Sequence, residues 1–391
     1  MFIAPQPRHR KRLLRSLLPP TCVALLSLLS ACSGASNADG AAAPAHTLSV
    51  TATAPHPLTF YESQDEIEPF SPFIAQSSLN GTLNAIGFAQ REGAFYMMTY
   101  AAKTLEPVGV SNGIAADDPL WNCDVAPDTE VTLAPDAKLV ARSCASGGVT
   151  IFSLPNTLTV FHQTGVVGAV TLTARVPVVA FAPTGDVLAL TDDGPNGPGQ
   201  AITLLDTQTW QPRGKITVTN GLLSRPSWSP DGTRLAALDT SGTLHIWDAA
   251  SATEVATATM PQFTIGATAS DPASPAPQWS ADGSHLLVTS AAKTNTILSV
   301  WSVAGGDFAL SAGATATLAI VPDKAIPQLA PDGSSVFVHT AIGHGQIFSM
   351  PNLTQVADFT LPGTMTIWAG DSKHLESFTN QPAIVTLNVG G

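Results

Sequence analysis

The sequence predicts an all-β chain: a seven-bladed β-propeller of four-stranded antiparallel blades, with the ring closed by an N-terminal strand. Three observations carry this. One strand–turn–strand–turn–strand unit recurs seven times, its first turn is marked by Asp-Gly or a close variant, and a spare β-like stretch precedes the first unit where the last lacks a fourth strand.

Composition agrees. Across 391 residues, 44% are hydrophobic, 12% are charged, and Gly and Pro number 31 each. That mix suits short strands joined by tight turns and suits long helices poorly. Length alone argues for two or more domains, but small sheets repeated around one ring remove that need.

The clearest unit is Ser227-Trp-Ser-Pro-Asp-Gly-Thr-Arg-Leu-Ala-Ala-Leu-Asp-Thr-Ser-Gly-Thr-Leu-His-Ile-Trp-Asp-Ala-Ala250. Asp231-Gly232 takes the positive-φ geometry of a tight hairpin. Related units start at Thr132, Ala180, Gln278 and Gln328, and degenerate ones at Ser78 and Ile367. The turn position falls at Asn80, Asp136, Thr184, Asp231, Asp282, Asp332 and Asp371, at spacings of 56, 48, 47, 51, 50 and 39 residues. Each period holds one four-stranded sheet, so seven markers give seven blades. A helical solenoid does not fit the strand period, and a two-sheet sandwich does not require one motif seven times.

After the last third strand, Ala383–Val389, only Gly390 and Gly391 remain. The missing outer strand is expected from either Thr47–Ala52 or Leu58–Tyr61. Pairing the two termini removes two exposed sheet edges. The acidic stretch Glu62–Glu68 is then expected to be a surface connection into blade one.

The Trp/Phe-Ser-Pro-Asp-Gly-x-x-Leu motif and the Trp247-Asp248 dipeptide resemble the repeats of bacterial WD-repeat and periplasmic TolB-like (PD40-type) propellers, over about residues 62–391. The resemblance implies the fold and leaves function open, because the motif builds blades on proteins of many kinds. TolB proteins carry an amino-terminal α/β domain for which this chain has no room, so their partners are not transferred.

The amino terminus reads as an address. Arg8, Arg10, Lys11, Arg12 and Arg15 precede an apolar run, Thr21–Ala31, too short to span a bilayer as a helix. Leu29-Ser30-Ala31-Cys32 resembles the bacterial lipobox. That resemblance implies diacylation of Cys32, which becomes the first mature residue; two or more acyl chains give stable anchoring. The same layout without acylation is an ordinary signal peptide with an incidental cysteine. Residues 1–31 are thus expected to be a lipoprotein signal peptide, 32–46 a flexible tether and 47–391 the propeller. The destination is the outer membrane in a two-membrane host, where Ser33 is not the inner-membrane-retention aspartate, or the outer face of the plasma membrane in a single-membrane host.

Five of the 17 basic residues precede Cys32 and no acidic residue does, which leaves 12 against 29, a formal −17. That balance opposes sequence-independent binding to nucleic acid and electrostatic adhesion to anionic lipid.

No pair of His at ligand spacing, no Cys-x-x-Cys, no Gly-x-Ser-x-Gly elbow and no Gly-rich phosphate loop occurs. No catalytic residue, metal ligand or cofactor is assigned. The repeated aspartates are expected to shape hairpins, and His285 and His374, in the register of Arg234, to stand at solvent-facing strand starts. Leu205-Asp-Thr-Gln-Thr-Trp210, faintly similar to a quinoprotein motif, fits a third-to-fourth-strand turn. Cys123 and Cys144 remain as an even pair in an oxidising compartment. Cys123 lies in the connection leading into blade two and Cys144 at the end of that blade's second strand. Both emerge on one face, so a disulfide is expected. Trp228, Trp279, Trp368, Trp247 and Trp301 occupy packing registers. Trp121, in the connection that holds Cys123, is the candidate exposed aromatic of a recognition surface, with core or loop packing as the favoured alternative. Thr191–Gly199 and Ser270–Pro277 are expected to be long loops on that same face.

The expected function is an extracytoplasmic, lipid-anchored protein-binding or scaffold module of the cell envelope, not an enzyme, monomeric, with an envelope protein or peptide as partner. The alternative is a lactonase-like propeller hydrolase with a site in the central channel.

Overall fold

The computed structural model describes residues 48–53, 56–57, 59–63, 66–77, 82–89, 94–115, 131–143, 149–154, 158–163, 166–167, 170–171, 178–194, 197–222, 224–260, 276–292, 295–304, 310–319, 326–341, 343–363, 365–379 and 383–390. Among them every regular element is a strand.

Seven antiparallel blades follow one another, each meandering from an inner first strand to an outer fourth. Blade one uses Glu66–Ser77, Thr82–Ala89, Ala94–Ala101 and Pro107–Val110. Blade two uses Val131–Leu133, Leu139–Ser143, Val149–Ser153 and Leu158–Gln163. Blade three uses Val179–Phe181, Val187–Gly194, Gly197–Asp206 and Pro212–Thr217. Blade four uses Ser227–Trp228, Arg234–Leu238, Thr243–Asp248 and Thr253–Thr259. Blade five uses Gln278–Trp279, His285–Ala292, Asn295–Val303 and Leu310–Leu318. Blade six uses Ile326–Leu329, Ser335–Ala341, His344–Ser349 and Thr354–Thr360. Blade seven uses Met365–Trp368, His374–Phe378 and Ala383–Gly390, and takes Ser49–Ala52 as its outer strand.

The closing register is antiparallel, from Ser49 opposite Gly390 to Ala52 opposite Leu387. Leu48 N–H donates to Val356 O of blade six at 2.8 Å and Thr53 N–H to Thr386 O at 2.9 Å, so both ends of the strand are tied down. The alternative closing segment does something else. Thr59–Ser63 forms a hairpin with the start of the long strand Glu66–Ser77, Phe60 facing Glu68 and Tyr61 facing Ile67. Glu62 and Glu66–Glu68 are therefore strand residues, not a plain surface connection. Thr191–Gly199 is likewise not a loop. The middle strands of blade three continue through Thr191–Ile202 and Asp192–Ala201 pairing to a tip between Gly194 and Gly197.

Stability is distributed seam by seam. Seven buried apolar clusters occur among the described residues, one between each pair of neighbouring blades. A middle strand therefore has no solvent face. Leu235 and Ala237 pack toward blade three, while Ala236 and Leu238 pack toward blade five. This is why Leu235-Ala-Ala-Leu238 is a continuous apolar run, whereas the outer strand Thr253–Thr259 is largely exposed.

The inner strands are also joined by hydrogen bonds. Trp228 Nε1 donates to Ala180 O of the preceding blade at 2.9 Å, Trp279 Nε1 to Ser227 O at 3.3 Å, and Trp368 Nε1 to Gln328 O at 3.1 Å. Gln278 reaches the other way: Nε2 donates to Pro327 O at 2.6 Å, and Oε1 accepts from Leu329 N–H at 2.7 Å. Gln328 Nε2 repeats the contact on Thr366 O at 2.7 Å. The third-to-fourth-strand turns add a plug. Leu105, Trp210, Ala252 and Leu353 sit at positive φ, and each packs into the seam with the preceding blade.

Candidate functional site

The first hairpins of blades three to six touch one another: a side-chain carbon placed at Gly232 would meet Thr184, at Gly283 Pro230, and at Gly333 Ala281. Each aspartate is committed to its own turn. Oδ1 accepts the backbone N–H two residues on at Asp136, Asp231, Asp282, Asp332 and Asp371, at 2.9–3.0 Å. The Ser280 hydroxyl, with the Ser284 amide and hydroxyl, holds the Asp282 carboxyl down at about 2. The expected hairpin role of these aspartates holds.

The quinoprotein-like stretch is a turn as well. Asp206 accepts Gln208 and Thr209 N–H and binds Arg213, which also reaches Asp186 at 2.9 Å. His285 and His374 begin their strands with partly exposed side chains, and each bonds within its hairpin, to the Ser284 hydroxyl and the Asp371 carboxylate.

The inner strands of blades two to seven carry no ionisable side chain: Val131–Leu133, Val179–Phe181, Ser227–Trp228, Gln278–Trp279, Ile326–Leu329 and Met365–Trp368. No group of three His, Cys, Asp or Glu residues placed to hold a metal occurs among the described residues. An apolar hollow between blades one and two, lined by Ile86, Phe95, Met97, Ile114, Val140 and Leu154 among others, has room for about one water.

Two polar clusters were missed by sequence reasoning. In blade four, fully buried Asp239 caps the second-to-third-strand turn, accepting Ser241 N–H at 2.9 Å and Thr243 N–H at 2.8 Å on Oδ1. Asn220 Nδ2 donates to its Oδ2 at 3.0 Å and straps the turn to the incoming connection. Burial pushes the Asp239 carboxyl up, but the bonds from Asn220, Ser241 and Thr243 outweigh it and hold it below the usual range. His245 lies between Asp239 Oδ2 at 3.2 Å and Glu254 Oε2 at 2.6 Å, its ring stacked on Trp247 at 5.2 Å. A His two residues before Trp-Asp was the available sequence signal.

The second cluster is in blade seven. Glu376, 4% exposed, takes the register filled by Ala236, Leu287 and Phe337 elsewhere. Its partner is the Thr386 hydroxyl at 2.8 Å, and burial raises its pKa. The folded state therefore resists ionisation, and stability falls as pH rises from the ordinary glutamate value through the raised one. Glu376→Gln is expected to equal the native protein near pH 4 and to exceed it at pH 7.5 by about 1 kcal/mol, the scale of one buried polar group. Urea unfolding at both pH values measures this; a native profile that does not fall relative to the variant contradicts it.

Cys32, Trp121, Cys123 and Cys144 lie outside the described residues, as does most of Ser270–Pro277.

No protein-family model matches the chain, and no curated protein does. Solved structures share the architecture. The WD40 domain of coronin from Toxoplasma gondii aligns at a TM-score of 0.57 and 12% identity, covering 88% of this chain and 86% of that one. The β-propeller domain of Cps50 (Swd1) from Myceliophteria thermophila aligns at 0.55 and 11%, covering 81% and 96%. A chain of a mitotic checkpoint complex aligns at 0.54 and 15%, covering 94% and 99%. These likenesses establish a WD40-type seven-bladed propeller fold.

Proposed function

We infer that the chain is an extracytoplasmic, lipid-anchored propeller of the bacterial cell envelope, acting as a protein-binding or scaffold module. The observation that carries the reading is where the polar groups are used. The hairpin carboxylates are bonded to their own turns and the inner-strand glutamines to the next blade, so these groups serve the ring. Similarity to a chain of a mitotic checkpoint complex fits a binding role. The positive n-region, apolar run and Leu29–Cys32 motif support export and anchoring through Cys32.

Cross-linking of the anchored protein in its own cells, followed by mass spectrometry, tests this. Reproducible cross-links from the propeller to one envelope protein are expected. Stoichiometric calcium or zinc on the purified protein, with no cross-linked partner, contradicts the reading and favours a channel hydrolase.

The same reading puts Cys123 and Cys144 in an oxidising compartment. Unreduced digests are expected to contain the linked pair, whose loop closure stabilises by roughly 3 kcal/mol in the chain-entropy model. Alkylation of both thiols without reductant rules the bond out.

A further inference from the structure

Blade four holds a histidine with a spare lone pair. His245 Nδ1 lies 2.6 Å from Oε2 of Glu254 on the outer strand. A carboxylate only accepts, so the proton sits on Nδ1 and the lone pair of the ring is left on Nε2. That nitrogen is buried and has no hydrogen-bond partner. Asp239 Oδ2 is 3.2 Å away, close enough for an ion pair but not aligned for a hydrogen bond. Two electron-rich atoms thus face each other out of reach of water, and a cation bonded to both relieves the arrangement.

The spacing is that of two ligands on one metal ion. Zinc bonds imidazole nitrogen and carboxylate oxygen at about 2.0–2.2 Å, which sets adjacent donors about 3.0–3.4 Å apart. The imidazole favours zinc over calcium and magnesium, which take oxygen donors. Asn220 supplies a third donor. Its Nδ2 lies 3.0 Å from Asp239 Oδ2, and turning the amide over brings Oδ1 to the same place. Asn220 is exposed, so an ion enters from that side and water completes its shell.

The surroundings hold the donors in position. Asp239 Oδ1 accepts Ser241 and Thr243 N–H and, at 2.7 Å, the Ser241 hydroxyl, which leaves Oδ2 for the ion. Glu254 sets the imidazole tautomer, and the ring is stacked on Trp247 with the planes 9° apart. A carboxylate behind a ligating histidine raises its basicity and accompanies most histidine–metal bonds. The blade itself does not require this histidine. Its register is filled by Thr203 in blade three, Ser299 in blade five and Gln346 in blade six.

We propose that Asn220, Asp239 and His245 form a zinc site at the second-to-third-strand turn of blade four, with Glu254 as the residue that orients His245. His245 and Glu254 stand on the third and fourth strands, apart from the inner strand Ser227–Trp228. The ion therefore pins the incoming connection to the turn and does not serve a reaction in the channel. The site is independent of the lipid-anchored reading.

Full-length native protein, stripped with EDTA, is titrated with zinc chloride in a calorimeter, and zinc X-ray absorption reads the ligands. One zinc per chain is expected, in a shell of nitrogen and oxygen that includes one imidazole. His245→Gln, for which Gln346 is the precedent at the same register, is expected to weaken binding at least tenfold, and Glu254→Gln about tenfold through the ligand it orients. Zinc is expected to raise the unfolding midpoint of the native protein and not that of His245→Gln. Zinc lost with His245→Gln belongs to blade four and does not count against the binding reading. No uptake, sulfur in the shell, or an affinity unchanged in His245→Gln overturns the proposal.

Discussion

Deleting Leu48–Thr53 is expected to cost about 4 kcal/mol or more and to make the protein self-associate. Leu48 and Val50 pack into the seam of blades six and seven beside Trp368, Leu375 and Leu387. Two half-buried apolar side chains, each at about half the 1.5–3 kcal/mol of full burial, and the lost ladder to Ala383–Gly390 together set the scale. That is a large fraction of the 5–15 kcal/mol that holds a typical domain folded. The deletion also bares the edge of the Ala383–Gly390 strand, and an exposed edge templates pairing with another chain. Concentration-dependent association by sedimentation is expected, and a synthetic Thr47–Thr53 peptide is expected to suppress it by refilling the edge. A deletion variant as stable as the native protein and no more prone to associate refutes this account of closure.

Trp228 is the second point of large effect. Its indole fills the seam of blades three and four, and its N–H holds Ala180 O. Trp228→Ala removes both and is expected to cost 3–5 kcal/mol, the range for a truncated core aromatic. Trp228→Phe keeps most of the volume and loses the donor, for about 1–2 kcal/mol. Blade three is the natural precedent, with Phe181 in the same register and buried. Urea midpoints separate the two effects. Equal losses for Phe and Ala mean that the bond between blades carries the effect and the apolar volume that Phe keeps contributes nothing; no loss with Phe means that the bond between blades contributes nothing.

The repeat was legible because hairpin chemistry is local. Asp-Gly and its variants mark a turn wherever the blade sits, so the number and order of blades follow from the chain alone. The closing partner was half-legible. Thr47–Ala52 and Leu58–Tyr61 both read as strands, and only the packing of Leu48 and Val50 against blade six decides between them. Thr191–Gly199 looks like a loop because Gly and Pro mark turns, yet the pairing of Asp192 with Ala201 extends the ladder through it. The Trp and Gln bonds between inner strands were invisible because they join residues about 50 positions apart, as in Trp228 to Ala180 at a separation of 48. Glu376 was masked by its strand: a carboxylate in a middle strand reads as a polar face, whereas here both faces are covered.

The central claim is a ring sewn shut by its own N-terminal strand in one register, with Thr51 opposite Asn388. The most direct measurement is an oxidative trap, with Thr51→Cys and Asn388→Cys introduced together. The account predicts a rapid intramolecular disulfide, seen as a mobility shift on non-reducing gels, with thermal unfolding raised by a cross-link that joins positions 51 and 388. Free thiols after oxidation, cross-linked dimers in place of monomers, or equal trapping when Thr51→Cys is instead combined with His374→Cys would contradict it.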